Sequence, residues 1–346
     1  MARVGIVGTG WGARVQVPAF REAGLEVVAL AGRDAEKTRG LASELQVQPF
    51  DDWRSLISSV DIDLVSIVTP PSEHLEMATA ALAAGKHVLS EKPTALNAGE
   101  AERLVEAARR APEQLALIDH ELRFLPSWRE ARSRIGELGA IRYAEVRYSS
   151  PARGDRNRAW NWWSDAAHGG GVWGAVGSHF VDALRYFGME IAAVQALLHT
   201  AIAERSGRPV TSDDVAAVHL RLTAGAVAMM TFSGVASGPD EPSVLTIHGE
   251  EGAMRFSGEE VLFARRGQPF SRMAGEAMAD IPGNSFGGAF GSGTVWLGRA
   301  LHAALDGGER EALAPAATFE DGLAQQRVLD AARASSAADG RWVLVR

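Results

Sequence analysis

A glycine-rich turn lies directly after the first apolar segment of the chain. Residues 4–7 read Val-Gly-Ile-Val, and Gly8-Thr9-Gly10-Trp11-Gly12-Ala13 follows with the spacing G-x-G-x-x-G/A. The first glycine of this pattern allows a tight turn, the second lets a pyrophosphate approach the backbone, and the last small residue keeps the next helix close to the strand. Helix-terminal N–H groups then face the anion. The pattern predicts a dinucleotide site formed by Gly8, Thr9, Gly10, Trp11, Gly12 and Ala13.

The first 120 residues alternate short apolar runs with helical periodicity. Apolar residues repeat at helical spacing around Leu75 and around Leu104, and Ser72, Asn97 and Gly85 fit helix ends. The predicted strands are residues 4–7, 26–30, 63–68, 87–89 and 115–118. This alternation is typical of parallel βαβ units. It predicts an α/β fold that begins with a Rossmann domain, a doubly wound parallel sheet, over residues 1–122.

The sequence pattern changes after residue 140. Apolar and polar residues then alternate with period two, as from Ala144 to Tyr148. Further strands are predicted at residues 218–222, 227–232, 244–247, 253–256, 261–264 and 342–345. Helices are predicted at about 294–305 and 318–336, and the glycine-rich stretch 283–293 is predicted to be a mobile loop. Residues 123–346 are therefore expected to form an α+β domain with a large, mainly antiparallel sheet.

Charge and composition exclude several classes of function. The net charge is −8, and no stretch gathers Lys and Arg into the basic patch that nucleic acids attract. The absence of cysteine removes disulfides, thiolate nucleophiles and iron-sulfur clusters, and the nine histidines show no metal-ligand spacing. No apolar run approaches the roughly 20 residues that span a bilayer. We expect no nucleic-acid, membrane or metal partner and a cytoplasmic location.

The end of the second predicted strand bears on which nicotinamide cofactor binds. A carboxylate at this point hydrogen-bonds the ribose 2′-OH of NAD and repels a 2′-phosphate. Here Gly32 stands where an acid is expected, and Arg33 and Asp34 follow. Because a guanidinium suits a phosphate, the sequence favours NADP, with NAD as the other possibility. The structural alternative is that Arg33 is a solvated surface residue and Asp34 caps the next helix.

Further motifs occur in a fixed order along the chain. They are Thr69-Pro70-Pro71, His74, Glu91-Lys92-Pro93, the segment from His120 to Phe124, Gly169-Gly170-Gly171, Gly177, His179 and Asp182. Together they resemble the Gfo/Idh/MocA family of oxidoreductases over nearly the whole chain. The resemblance implies that Thr69, Pro70, His74, Glu91, Lys92 and His120 line the cofactor cleft. It also implies a homodimer or homotetramer formed through the second domain.

The resemblance places Lys92 near the nicotinamide and the substrate hydroxyl. An ammonium there donates a hydrogen bond and stabilises alkoxide charge, although a Lys-Pro turn at the surface is the plain alternative. His179 is the candidate for proton transfer, and Asp182, one helical turn later, either orients its ring or makes a structural pair with Arg185. Trp163 is a candidate for stacking on a sugar, or a core or interface aromatic.

One position departs from the family's pattern. The family usually carries an aspartate four residues before the histidine, and this chain has Ala175 there. Either Lys92 and His179 suffice, or another carboxylate such as Asp165 serves, or the chemistry differs. We expect an oxidoreductase that transfers hydride between nicotinamide and a sugar, cyclitol or related hydroxy compound. The alternatives are a nicotinamide-dependent glycoside hydrolase with transient oxidation and a non-catalytic cofactor sensor.

Overall fold

The computed structural model describes residues 1–59, 61–273 and 288–346. Nine α-helices occur in these residues: α1 Val17–Glu22, α2 Ala35–Leu45, α3 Trp53–Ser58, α4 Pro71–Ala83, α5 Ala98–Arg110, α6 Pro126–Arg134, α7 Ser178–Tyr186, α8 Ala289–Asp306 and α9 Phe319–Ala337. Two further helical segments of π type, Gly12–Gln16 and Trp173–Gly177, lead into α1 and α7. No helix of the described residues is long and apolar enough to cross a membrane.

The same residues contain eighteen strands. They are β1 Arg3–Val7, β2 Glu26–Ala31, β3 Gln48–Phe50, β4 Leu64–Ile67, β5 His87–Ser90, β6 Ala116–Ile118, β7 Ile141–Ser149, β8 Ile191–His199, β9 Glu204–Arg205, β10 Arg208–Pro209, β11 Val215–Leu222, β12 Val227–Ser233, β13 Glu241–Gly249, β14 Gly252–Ser257, β15 Glu260–Arg265, β16 Ser271–Arg272, β17 Ala317–Thr318 and β18 Val343–Leu344.

The chain divides into two compact units, and the division differs from the predicted boundary between residues 122 and 123. In the part of the chain that is described, the first unit comprises residues 1–95, 99–125 and 288–323. The second comprises residues 96–98, 126–273 and 324–346. The prediction missed the return of the chain to the first unit because local periodicity carries no information on which core a late helix joins.

The first unit is a Rossmann domain, as predicted. Its sheet has the strand order β17-β6-β5-β4-β1-β2-β3, in which β1 to β6 pair in parallel and β17 adds an antiparallel edge. Apolar side chains leave both faces of its central strands: Val65 and Ile67 pack in one core cluster, and Val4 and Ile6 in another. Both faces are therefore covered, as parallel sheets require.

The second unit contains a nine-stranded sheet with the order β16-β15-β14-β13-β7-β12-β11-β8-β18. It is antiparallel except where β7 pairs in parallel with β12, so the prediction of a mainly antiparallel sheet is confirmed. Helix α7 packs against one face through aromatic contacts. The rings of Phe180 and Phe232 lie 5.8 Å apart, and those of Phe187 and Phe256 lie 4.7 Å apart. These contacts fix α7 on the sheet.

Two local predictions were wrong. Residues 289–293 of the predicted mobile loop belong to the first turns of α8, while residues 283–287 lie outside the described part. Gly293 permits this packing, because a Cβ there would lie 2.8 Å from the Glu121 carbonyl oxygen. Ser72 does not cap its helix, which begins at Pro71 after Pro70. Proline suits the first helical position because its φ is already set and it needs no N–H acceptor.

Candidate active site

The glycine turn of the first unit connects β1 to the π-type segment. Gly8 has φ +141°, and its N–H donates to the Ala31 carbonyl oxygen over 2.8 Å. A side chain at Gly8 would collide with the Val68 carbonyl oxygen, and a Cβ at Gly12 would lie 2.7 Å from Ile6 Cγ2. These two positions require glycine for conformation and for close packing respectively. The close approach of helix to strand falls at Gly12, next to the buried Ala13.

The open side of the turn fits a dinucleotide. Gly10 is exposed, and a Cβ built there would meet no atom of the described residues within 4 Å. Thr9 and Trp11 on either side are half-buried. The turn lies at the carboxyl end of β1, where open α/β sheets bind their ligands, and β1 is central in the sheet. Gly8 to Ala13 therefore fit the pyrophosphate of a nicotinamide dinucleotide, with space above the backbone at Gly10.

The loop after β2 carries the residues predicted to distinguish the two cofactors. A Cβ at Gly32 would lie 2.5 Å from Thr9 Cγ2, which explains why no acid stands there. Arg33 is exposed and forms an ion pair with Glu73 in the first turn of α4. Asp34 is the N-cap of α2, where its carboxylate accepts from the Lys37 N–H over 3.0 Å. The structure therefore agrees with the alternative interpretation, in which Asp34 caps the helix.

His74 supports the loop that follows β5. Its ring is completely buried, with Nδ1 3.1 Å from the Pro93 carbonyl oxygen and Nε2 2.9 Å from that of Thr69. Burial lowers the pKa of His74 despite these backbone contacts. The ring braces two sheet-edge loops and is less exposed than the half-buried Thr69 and Pro70. Cofactor binding by His74 stays a prediction.

Glu91, Lys92 and Pro93 leave the carboxyl end of β5. Lys92 is half-buried and Glu91 is buried, and the Lys92 N–H donates to Glu91 Oε2 over 3.3 Å. The peptide bond between Lys92 and Pro93 is cis. His120 follows β6, the neighbouring strand, and is only 3% exposed. Lys92 is therefore an ammonium at the ligand edge of the sheet, next to a buried carboxyl group.

A buried polar network lies next to Lys92, and sequence reasoning missed three of its members, Gln16, Ser66 and Asp119. Gln16, on the π-type segment, donates from Nε2 to Asp119 Oδ2 over 2.8 Å and to Glu91 Oε1 over 3.5 Å. Ser66 Oγ donates to Gln16 Oε1 over 2.6 Å. Gln16 and Ser66 are completely buried and Asp119 is 2% exposed. One amide thus connects the ends of three parallel strands.

The carboxyl groups of this network hold protons more tightly than exposed acids. Burial and then the charge of Glu91 raise the pKa of Asp119 well above its usual range. Burial raises the pKa of Glu91, although the Lys92 charge opposes the shift. Burial, followed by the charges of Asp119 and Glu91, also raises the pKa of Glu121 well above normal. Three carboxyl groups in so small a buried space oppose one another's ionisation, so simultaneous ionisation of all three is disfavoured.

The second unit carries His179 and Asp182 on α7. The side chains lie one helical turn apart on one face, and the residues are 6% and 3% exposed. The start of the helix is held by Gln325 on α9, whose Nε2 donates to the Ser178 carbonyl oxygen over 2.7 Å. Packing of Phe180 on the sheet fixes the opposite side of the helix. A buried imidazole on a rigid helix is suited to proton transfer at a set position.

The triple glycine before α7 is shaped by Asp213, a further residue that the sequence analysis did not single out. Asp213 Oδ2 accepts from the Trp173 N–H over 2.7 Å, and the Val172 N–H donates to the Asp213 carbonyl oxygen over 2.9 Å. Gly171 has φ +112°, and a side chain there would collide with Asp213 Oδ1. Burial raises the pKa of Asp213 to about 6, against the Trp173 hydrogen bond. Asp213 therefore fixes the segment that leads to His179.

Ala175 carries no carboxylate, and the carboxylate of Asp165 accepts local hydrogen bonds. Ala175 is buried at 4% exposure. Asp165 accepts from His168 Nδ1 over 2.8 Å and from the Ala167 N–H over 3.0 Å. Slight burial pulls the pKa of Asp165 upward, but hydrogen bonds from His168, Ala167 and Thr211 hold it below its usual range. Asp165 is thus a cap for a short turn. Trp163 is half-buried, with its ring against Arg153.

The described residues of the two units therefore hold different parts of the predicted set. The first contains the glycine turn, Arg33 and the Lys92 network, and the second contains Trp163, His179 and Asp182. No group of three or more His, Cys, Asp or Glu side chains among the described residues is arranged to hold a metal ion. Asp119 could have been found from the sequence, because it ends a predicted strand at the ligand edge. Gln16 and Asp213 carry no such local signal.

Comparisons with known proteins support a Rossmann domain followed by a second domain of a known family. Residues 2–118 match the oxidoreductase family with an NAD-binding Rossmann fold, and residues 128–255 match the GFO/IDH/MocA C-terminal domain. The chain is 30% identical to glucose-fructose oxidoreductase domain-containing protein 2 of Bos taurus over 363 residues, 99% of this chain and 93% of that protein. An uncharacterized oxidoreductase of Synechocystis sp. is 33% identical over 262 residues, 72% of this chain and 70% of that protein.

Solved structures with the same fold include two oxidoreductases. An oxidoreductase domain protein from Kribbella flavida superposes with a TM-score of 0.88 at 28% identity, over 100% of this chain and 99% of that chain. Levoglucosan dehydrogenase, in complex with NADH and levoglucosan, also gives 0.88, at 25% identity over 99% of each chain. Fold, glycine turn and relatives define an NAD(P)-dependent oxidoreductase. The chain belongs to the Gfo/Idh/MocA family.

Proposed function

We propose that this oxidoreductase transfers hydride between a nicotinamide dinucleotide and a sugar, cyclitol or related small hydroxy compound. The observation that carries the proposal is the position of Lys92, half-buried at the carboxyl edge of the parallel sheet and backed by buried carboxyl groups. A bound nicotinamide supplies the hydride acceptor or donor. The named activity of levoglucosan dehydrogenase supports a sugar-like substrate.

Lys92 polarises the substrate oxygen in this proposal. Its ammonium donates a hydrogen bond to the oxygen and stabilises the negative charge that develops there as hydride moves. The Lys92 charge lowers the pKa of Glu91 and of Asp119 and so opposes the effect of burial on these two groups. Gln16 keeps both carboxyl groups in place without adding charge.

His179 exchanges the hydroxyl proton of the substrate. The buried side of α7 fixes the helix, so that the imidazole needs no rearrangement before it accepts the proton. Asp182 orients His179 from the next turn of the same helix. Lys92 and His179 are proposed to suffice for the reaction without the aspartate that the resemblance leads one to expect at Ala175.

We propose NADP as the preferred cofactor, with NAD as the weaker one. Gly32 leaves no carboxylate at the end of β2 to repel a 2′-phosphate, and the exposed guanidinium of Arg33 stands beside it. The Arg33 ion pair with Glu73 lies at the surface, where such pairs contribute little free energy. A 2′-phosphate is therefore proposed to compete with Glu73 for Arg33.

The exposed face of the nine-stranded sheet supports the predicted homodimer or homotetramer. Leu197, Val227 and Met229 are 64%, 43% and 44% exposed, although most large apolar side chains of the unit are buried. Strand registers place Leu197 opposite Ala217 and Met229 opposite His219, so Leu197 and Met229 lie on the two strands that flank β11. An apolar, self-complementary face is what a twofold interface requires. The cytoplasmic location stays a prediction.

A cofactor-coupled assay tests the proposed activity. Purified protein is mixed with NADP⁺ or NAD⁺ and a panel of aldoses, anhydrosugars, polyols and cyclitols, and nicotinamide absorbance is followed. The proposal expects net formation of reduced cofactor with at least one compound. Release of free sugar from glycosides with no net cofactor change would instead indicate the glycoside hydrolase. No conversion of any compound by the cofactor-bound protein would contradict both.

A further inference from the structure

Arg153, Arg158 and Arg205 form a cluster in the second unit, and Arg153 contacts the ring of Trp163. Arg153, Arg158 and Arg205 interact electrostatically, and the guanidinium of Arg153 lies 4.8 Å from the centre of the Trp163 ring. Among the residues that the structure describes, none of the three forms an ion pair with a carboxylate. The protein as a whole carries a net charge of −8, so a cluster of unpaired cations is unusual in it.

Two of the arginines have clear structural bonds, which makes Arg153 the distinct member. Arg205 is 1% exposed, and its guanidinium donates to the Asp155 carbonyl oxygen over 2.5 Å and to that of Arg153. Arg158 Nη1 donates to the Ala152 carbonyl oxygen over 2.7 Å. The guanidinium of Arg153 contacts the indole of Trp163 and has no hydrogen-bond acceptor among the described residues. Its five N–H donors are thus available.

The surroundings of Arg153 disfavour a lone positive charge. Burial, followed by the charges of Arg158 and Arg205, lowers the pKa of Arg153 to about 10. Asp214 and Tyr148 oppose this shift. Asp214 accepts the Ile202 N–H over 2.9 Å and forms no ion pair with Arg153 among the described residues. A half-buried cation between two other cations would gain most from an anion that none of the neighbouring side chains provides.

We propose that Arg153 and Trp163 bind an anionic group of a sugar-like substrate, a carboxylate or a phosphate. The fork of N–H donors takes two oxygens of the anion, while Arg158 and Arg205 add positive charge around it. Trp163 holds the guanidinium plane in place. The proposal rests on the proposed function, and it narrows the substrate class from hydroxy compounds in general to acidic or phosphorylated ones.

The size of the cluster fits a single small anion. Arg205 is enclosed and already holds two backbone carbonyl groups, so the donors that remain are mainly those of Arg153. Nucleic acids need several phosphate contacts along an extended basic surface. The segment 151–168 contains two acids, Asp155 and Asp165, beside Arg153, Arg156 and Arg158. Both acids accept local backbone N–H groups. One carboxylate or phosphate is the ligand that this charge suits.

Paired substrates test the proposal. The full-length protein, saturated with reduced nicotinamide cofactor, is titrated calorimetrically with glucose, glucuronate and glucose 6-phosphate, and with the corresponding galactose and mannose sets. The variants are Arg153→Met, which keeps the apolar stem, Arg153→Lys, which keeps the charge, and the control Arg156→Met, which changes an exposed arginine of the same segment. The same sets are assayed for turnover with oxidised cofactor.

We expect at least one charged sugar to bind about tenfold more tightly than its neutral partner. Arg153→Met should abolish that preference, Arg153→Lys should keep part of it, and Arg156→Met should leave it unchanged. Preference for the uronate or for the phosphate then identifies the anion. Equal or tighter binding of every neutral sugar, or a preference that survives in Arg153→Met, would overturn the proposal. Absence of turnover in all sets contradicts the proposed function instead, because binding is measured separately.

Discussion

Gln16 Nε2 donates a hydrogen bond to Asp119 Oδ2 over 2.8 Å inside the first unit. The amide has no charge, yet it holds a carboxyl group whose pKa burial and Glu91 raise well above normal. Substitution Gln16→Leu should lower the free energy of unfolding by about 2 kcal/mol, because two buried carboxyl groups lose their donor. Urea denaturation measures the loss, with Gln48→Leu on the exposed edge strand β3 as control. An equal effect of both substitutions would contradict the role assigned to Gln16.

The raised pKa of Asp119 leads to a separate prediction about its protonation. Asparagine resembles a protonated aspartate in shape and charge, so Asp119→Asn should change the free energy of unfolding at pH 7 by less than about 1 kcal/mol. Infrared difference spectroscopy should show a protonated-carboxyl band in the wild-type protein that is weaker in Asp119→Asn. A wild-type spectrum at pH 7 without such a band would mean that the buried cluster is fully ionised.

Asp213 predicts a pH-dependent stability of the second unit. Its folded pKa of about 6 lies above the usual aspartate value of 3.8, so the folded state retains a proton that the unfolded state releases. The contribution to stability therefore falls as pH rises from about 4 to about 6, by up to about 3 kcal/mol. The melting temperature of Asp213→Asn should rise relative to wild type over this interval. A constant difference between the two proteins across it would contradict the assignment.

Substitution of Arg33 should weaken the binding of NADP⁺ and leave the binding of NAD⁺ nearly unchanged. Arg33→Ala removes the guanidinium at the end of β2, and we expect NADP⁺ affinity to fall about tenfold while NAD⁺ affinity stays within about twofold. Glu73→Gln should raise NADP⁺ affinity, because it releases Arg33 from its ion pair. Fluorescence titration measures both cofactors, with Arg39→Ala on α2 as control. Equal losses for the two cofactors would contradict the proposed preference.

The apolar face of the second sheet predicts the oligomeric state. Replacement of Leu197 and Met229 by aspartate places charge on two of the exposed apolar positions and should shift the protein to monomers. Light scattering after size-exclusion chromatography measures the mass, with Glu44→Lys on the exposed side of α2 as control. A wild-type protein that is monomeric at micromolar concentration would remove the basis of this prediction.

Local sequence patterns predicted most of the fold for physical reasons that differ by element. The parallel strands were predictable because both their faces are buried, which leaves largely apolar runs such as residues 64–67. Strands β3 and β17 have three and two residues, too few for any periodicity, and were missed. The start of α8 was hidden by its glycines. Gly298 serves close packing, since a Cβ there would lie 2.7 Å from Ala23 Cβ.

The candidate site was only partly predictable. Gly8 and Lys92 belong to short motifs whose order is informative, so the sequence identified them directly. Gln16, Asp119 and Asp213 act through partners 50 or more residues away or through backbone N–H groups that only folding brings close. His74 is a related case, because its ring braces two loops from inside the core, which its sequence motif does not indicate.

The central claim is that Lys92 supports hydride transfer between nicotinamide and a sugar-like hydroxyl. The direct measurement is the rate of reduced-cofactor formation by wild type and Lys92→Met with the best compound of the substrate panel, alongside cofactor affinity. We predict a fall in kcat of about a thousandfold, with cofactor Kd changed less than about threefold. A wild-type rate in Lys92→Met, or a cofactor-bound wild-type protein that oxidises no compound of the panel, would contradict the claim.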